Sequence, residues 1–394
     1  MIMKLTPASK RRKTAICAPM KMIGGFTLIE LMIAMVIGIV ILLALSGVFL
    51  NTSRTNTELA KTNSVIENGR FTLQLLQDDL VHAGFWGYYV PTFDNLTFVG
   101  APPAADIPGT VPGPCDAWPA GAAEKEERRA QWIGMPVQTY DSTPAGCTMA
   151  DRKAGTDVLV ARHAETCEAG VGTCEALAAD RLYFQSSLCA SDALTHTLEV
   201  LADAADPAGS GFTLSSGNCT TTAAMRRLSS NIYFVRDGTV PTLMRTRWDG
   251  SSFVTEALIE GIEEFRVELG IDNVSATGAA VAPGAAIIWD ATAVNTPTNR
   301  GDGAPDTYVR CTAASPCTPA QLINTTAVKL FVLARSTEPS ASYTDTKTYC
   351  LATLDSSGNC PAGAAVTPAD KFKRHLFTTT VRLNSVSGRR ETPE

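Results

Sequence analysis

One carboxylate interrupts an otherwise apolar run: Glu30 is the single charge in the 25 residues from Phe26 to Leu50. A carboxylate inside a membrane helix costs roughly a few kcal/mol and is usually kept there for a partner; the simpler alternative is a carboxylate near the helix end that snorkels to the headgroups. The second reactive set is the cysteines, eleven in all, with Cys17 ahead of the apolar run and ten beyond it. An even number in an exported chain fits oxidation to five disulfides. The short spacings Cys167 to Cys174, Cys311 to Cys317 and Cys350 to Cys360 invite local loops, and Cys115 with Cys147 and Cys189 with Cys219 would complete a sequential scheme. Spacing alone leaves that connectivity open. No Cys-x-x-Cys occurs, which argues against a thioredoxin-like redox site or a zinc ribbon.

Other candidates yield simpler readings. His163 lies four residues before Cys167, but with four histidines in the chain a surface histidine beside a disulfide cysteine outweighs a metal ligand. Asp78 and Asp79 are adjacent, and adjacent helical side chains point about 100° apart, so they read as a solvated face or one salt-bridged residue, not a catalytic pair. Asn299-Arg300-Gly301-Asp302-Gly303-Ala304-Pro305-Asp306 has the Asp-Gly of a calcium loop, but in that register Thr298 and Arg300 fall where oxygen ligands belong. A plain turn is expected there, and no metal or cofactor is called for. The chain lacks Gly-x-Ser-x-Gly, His-Glu-x-x-His and a glycine-rich phosphate loop, so an enzyme is the weaker class.

The elements that must position Glu30 begin with the run itself, which as a helix spans the bilayer's apolar core of about 30 Å. Lys4, Lys10, Arg11, Arg12, Lys13 and Lys21 precede it with no acid among them, which holds the N-terminus in the cytoplasm. A secretory signal peptide would be shorter and followed by small residues, whereas Asn51-Thr52-Ser53-Arg54 follows here. Leu59, Ile66, Leu73, Leu76 and Leu80 then recur at helical spacing, so the helix is expected to continue to about Val81, on the order of 80 Å in all. Gly69 is a weak point and a candidate bend, and Gly84 a candidate stop.

Beyond Pro91 the composition turns to alanine, glycine, proline and threonine, with short strands at Asp157-Val158-Leu159-Val160 and Arg181-Leu182-Tyr183-Phe184 and an exposed helical turn over Glu124 to Arg129. From Ser230 the runs are longer, and Arg236-Asp237-Gly238 and Asp249-Gly250 predict hairpins of an antiparallel meander. Strands are also expected over Ala327 to Arg335 and His375 to Leu383. The expected organisation is a removable leader over 1–25, a membrane helix over 26–50, its amphipathic continuation over 51–84, a loop-rich cysteine-containing insertion over 91–225, and an antiparallel head over 226–394.

Gly25-Phe26-Thr27-Leu28-Ile29-Glu30 resembles the type III signal of type IV prepilins and type II secretion pseudopilins. The resemblance implies cleavage after Gly25 by a prepilin peptidase that also methylates the new amine of Phe26, and pairing of Glu30 with the terminal amine of a neighbouring subunit. Glycine suits the cleavage site, because its backbone lies extended and close to an enzyme. Removing the leader takes six positive charges and moves the formal net charge from -6 to about -12, which makes nucleic acid an unexpected partner for the head by default.

A second set, Glu67-Asn68-Gly69-Arg70-Phe71 with Asp79-Leu80 and Ala83-Gly84-Phe85, resembles the first helix of PilW-type minor pilins, as does the later strand order. That family implies an α+β pilin fold, a long helix laid on an antiparallel sheet. It implies as partners the prepilin peptidase and N-methyltransferase, other minor pilins and the major pilin, inner-membrane lipid and the inner-membrane assembly platform. Its place is the inner membrane with a periplasmic head, then the pilus. The alternatives are a minor pseudopilin of type II secretion and a tip adhesin or DNA-uptake pilin.

Overall fold

The computed structural model describes residues 25–248, 252–292 and 296–391. The leader up to residue 24, with Cys17, and the expected Asp249-Gly250 turn lie outside the described residues. The chain divides into two units between Thr57 and Glu58, and helix α1, Leu28–His82, contributes to both.

In the first unit the helix is apolar and open on all sides, with Leu43 68% and Phe49 71% accessible. It is long and apolar enough to cross a membrane.

In the second unit the helix buries Val65, Gly69, Thr72, Leu76 and Leu80 at steps of four and three, one stripe of a 3.6-residue helix. This corrects the expected stripe: Leu59 is exposed, while Ile66 and Leu73 lie at its margins. Gly69 belongs to the stripe because Phe377 packs there, and a Cβ would come within 2.0 Å of its ring. Helical assignment continues through Gly69, so the glycine answers to this close approach. Alanine would add about 1 kcal/mol of helix propensity but must displace the ring. A net loss of about 1–2 kcal/mol is expected for Gly69→Ala, read as a lower urea midpoint. Gly84 follows the helix in the left-handed conformation, φ 78°, and donates its N–H to the Arg162 carbonyl at 3.0 Å.

Helix α2, Ala122–Gly134, extends past the expected exposed turn, because Trp132 and Ile133 carry it into the core. The strands that follow are β1 Val137–Tyr140, β2 Val158–Ala164, β3 Arg181–Ser186, β4 His196–Leu201, β5 Met225–Arg236, β6 Thr242–Trp248 and β7 Phe253–Glu260. They make one antiparallel seven-stranded sheet centred on β5. Residues 91–225 therefore supply four of its strands besides their loops.

A second antiparallel sheet has the order β13-β10-β8-β9, from β8 Ile262–Ile271, β9 Thr307–Val309, β10 Thr325–Arg335 and β13 Arg374–Arg382. The short helix α3, Pro319–Ile323, leads into β10 through a capping box between Thr318 and Gln321. One face of β10, with Val328, Leu330 and Val332, shares a core with Leu76 and Leu80 of the helix and with Leu159 and Tyr233 of the first sheet. Its other face, Phe331 and Leu333, is covered by Tyr349 and Leu351. Tyr349 belongs to the two-stranded β11 Tyr349–Cys350 and β12 Ala365–Val366. Alternation along one strand thus fills two cores. Helix α4, Asn384–Arg390, ends the described chain and sends Arg390 onto Asp94 and Asp272.

Five disulfides are present, Cys115–Cys147, Cys167–Cys174, Cys189–Cys219, Cys311–Cys317 and Cys350–Cys360, pairing cysteines in chain order. In the Asp302 loop the Arg300 guanidinium donates to the carbonyls of Phe93, Ala282 and Ala285, while Asp302 Oδ1 accepts from the Ala304 N–H at 2.9 Å. The loop is held by its own arginine and backbone, and no cluster of metal-ligating residues occurs among the described residues.

Candidate functional site

Gly25, Phe26 and Glu30 stand at the start of α1. Gly25 and Phe26 precede the helix outside any regular element, and Phe26 is 88% accessible. Thr27 caps the helix: its Oγ1 accepts from the Glu30 N–H at 3.3 Å. Glu30 Oε2 in turn accepts from the Thr27 N–H at 2.8 Å and the Thr27 hydroxyl at 2.9 Å. This reciprocal pair is a capping box, which satisfies two backbone donors that a helix otherwise leaves open.

Both bonds to Glu30 use Oε2, and no described residue bonds Oε1. The carboxylate is thus held by Thr27 through one oxygen, with the other left without a hydrogen bond among the described residues. The four-residue interval that marks a capping box is present in the sequence, in Thr27 and Glu30 at the start of an apolar run, so the capping role of Glu30 was legible there beside the expected outward one.

At the other end of α1 a buried polar cluster fixes the helix to the sheet. Asp79 accepts from Asn231 Nδ2 at 3.0 Å and from the Tyr233 hydroxyl at 3.1 Å, and lies 2.9 Å from His163 Nε2. Of the two aspartates Asp79 is the salt-bridged one and Asp78 is exposed, while His163 is buried and not at the surface as expected. Toward the start of the second unit, Asn68 Nδ2 donates to the Glu260 carbonyl at 2.9 Å. Glu58 pairs with Lys373 at 2.7 Å and accepts from the Ser340 hydroxyl at 2.7 Å. These two partners hold its carboxyl down at about 2.

Two histidines couple this packing to pH with opposite signs. Burial pulls His163 down, but the hydrogen bond and charge of Asp79 outweigh it and leave the imidazole raised. Its contribution to stability is complete below the unfolded value of about 6.5 and is lost as pH rises through the folded value. The His196 ring lies tilted with its centroid 4.0 Å from that of Tyr89, and burial, with the nearby Arg129 charge, pushes it down to about 4. It favours the fold above about 6.5, and that support disappears as pH falls toward about 4. An NMR titration of the ring protons should show one histidine titrating near 4 and another above the ordinary range. Asp79→Asn should bring the second one down.

A family model for the prokaryotic N-terminal methylation motif matches residues 20–46. The motif implies processing by a prepilin peptidase and association with other pilins, and the apolar helix that bears it fits a membrane anchor with an exposed head. The family model "Type IV Pilus-assembly protein W" matches residues 232–385, from within β5 into α4. Together the two matches support a PilW-type minor pilin of the type IV class, a structural protein in character, and the long helix with antiparallel sheets fits the α+β pilin fold. No curated protein matches the chain. A type IV-like pilin from Thermus thermophilus is similar over 82% of this chain and 97% of that one, at 11% identity and a TM-score of 0.29.

Proposed function

We propose that this chain is a minor pilin of the type IV pilus that helps to prime assembly and stays at or near the fibre tip. The observation that carries the reading is the PilW match over the head joined to a methylation motif at the start of an apolar helix. Cleavage between Gly25 and Phe26 frees an amine next to the capping residue. The Phe26 amine of one subunit then pairs with Glu30 of a neighbour in the membrane, where low dielectric strengthens the attraction and penalises any charge left alone. The apolar surface from Leu28 to Leu50 buries against neighbouring helices, which removes side chains such as Phe49 from lipid.

A tip position follows from size. The second unit contains three sheets and five disulfide-closed loops among its described residues, and a head this elaborate would crowd its copies in a repeating helical lattice. Before assembly the chain would rest in the inner membrane with its head in the periplasm, in contact with the assembly platform. The partners are then the prepilin peptidase and N-methyltransferase, other minor pilins and the major pilin. The test is electron microscopy of a deletion strain with an assay of its secreted hydrolases. Loss of fibres with normal secretion is expected. Normal fibres with failed secretion would replace this reading with a pseudopilin of type II secretion.

A further inference from the structure

The ladder along β5 is broken on one edge. β2 pairs with residues 228–233 of β5, and β6 pairs with residues 231–236, so the overlap puts β2 and β6 on opposite edges. The chain leaving β2 stays on its own edge, where the Glu165 N–H bonds the Arg227 carbonyl at 2.8 Å. β3, which pairs with residues 225–227, therefore shares the β6 edge. Residues 228–230 lie between β3 and β6 with no strand on that edge among the described residues. A cavity of about 270 Å³ sits at this split and is lined by Leu228, Ser229 and Ser230.

The walls have an unusual composition. Trp118, Trp132 and Trp248 contribute three of the chain's five tryptophans. Arg181, Arg227, Arg245 and Arg247 line the cavity with them, as do Asp116 and Glu165. Trp118 donates its indole N–H to Glu199 at 2.7 Å, but the indole N–H groups of Trp132 and Trp248 are buried without a hydrogen-bond partner. A buried donor left unmade costs about 1–3 kcal/mol, and these two nitrogens have almost no exposed surface, so it is the indole rings that line the cavity. The Trp132 ring already has the guanidinium groups of Arg162 and Arg128 at 5.2 and 5.8 Å from its centroid, while Trp248 meets Phe253 edge-on at 5.1 Å.

We propose that this cavity binds one carboxylated sugar ring at the end of an acidic glycan. Aromatic surfaces take up the apolar face of a ring. Guanidinium groups match a planar carboxylate in charge and geometry. Asp116 already pairs with Arg128 and Glu165 with Arg227, and sugar hydroxyls, which donate as well as accept, can share those carboxylates, whereas a phosphate chain brings no donors to them. The volume suits a single ring and not a continuous strand, and the acidic balance of the chain further disfavours nucleic acid. This inference concerns the head alone and does not depend on the assembly role.

The test is calorimetry and tryptophan fluorescence on the full chain in detergent, with trigalacturonate, neutral maltotriose and a single-stranded oligo-dT as probes. Saturable binding of trigalacturonate is expected, with maltotriose at least about tenfold weaker. Arg247, with its side chain 46% accessible and 3.7 Å from Glu256, can be changed without opening the core. Arg247→Gln should weaken trigalacturonate binding about tenfold or more with the thermal unfolding curve unchanged. Trp248→Phe keeps an aromatic surface but removes the unpaired N–H, and should weaken it less. No saturable binding of trigalacturonate by the unaltered chain, equal binding of maltotriose, tighter binding of oligo-dT, or an unchanged affinity in Arg247→Gln would each overturn the proposal.

Discussion

Glu30→Gln should keep the chain out of fibres as completely as Glu30→Ala does. The two variants separate the capping role seen at Glu30 from the subunit contact proposed for it. Glutamine preserves the capping box, since its amide oxygen can accept from Thr27 as Glu30 Oε2 does. It removes only the charge offered to a neighbouring amine. A buried ion pair that loses one partner leaves the other uncompensated, at about 3–5 kcal/mol, which is more than a hundredfold in association. Thr27→Ala makes the converse change: it breaks the cap, at about 1 kcal/mol, and leaves the carboxylate. Fibre incorporation should fall only slightly for Thr27→Ala and beyond detection for both Glu30 variants, measured by immunoblotting of sheared fibres against total membrane protein. Wild-type incorporation by Glu30→Gln would mean that Glu30 serves the helix start and not the subunit contact.

The largest loss of stability is expected at Arg374. Its side chain is 1% accessible and forks between Glu263 and Asp370, with Asp345 at 3.6 Å. Those carboxylates gather around it from β8, from the loop before β11 and from the turn before β13. Together they hold the arginine's guanidinium firmly charged, with the pKa raised above its ordinary value despite burial. Arg374→Ala would leave Glu263 and the fully buried Asp345 short of their cation, for an expected loss of about 3–5 kcal/mol in denaturant unfolding. Arg374→Lys should recover part of this, because it restores the charge but not the planar fork. Lys373, the preceding residue, clasps Glu58 of α1, so the damage should extend to the start of the helix's contact with the head.

What the sequence made legible was local. The apolar run, the lone Glu30 and the stop at Gly84 are properties of neighbouring residues, and the structure has each where those residues put it. The hairpin at Asp237-Gly238 joins β5 to β6 for the same reason. Leu76 and Leu80 are buried as expected, but earlier in the helix the stripe runs through Val65 and Thr72 in place of Ile66 and Leu73, because it is set there by distant partners: Phe377 selects Gly69, and the Glu260 carbonyl holds Asn68 beside it. His163 shows the same limit, since its burial depends on Asp79, 84 residues earlier. The membership of β1 to β4 in one sheet with β5 was also out of reach. Short apolar strands between glycine-rich loops do not carry their pairing partners, and the split between β3 and β6 exists only once that pairing is made.

Entry of the processed chain into the fibre is tested by mass spectrometry of sheared, purified fibres for the N-terminal peptide of this chain. A peptide that begins at a methylated Phe26 is expected, at a small fraction of the major subunit's abundance. A peptide that retains residues before Phe26, or fibres that lack the chain altogether while the major subunit is recovered, would contradict it.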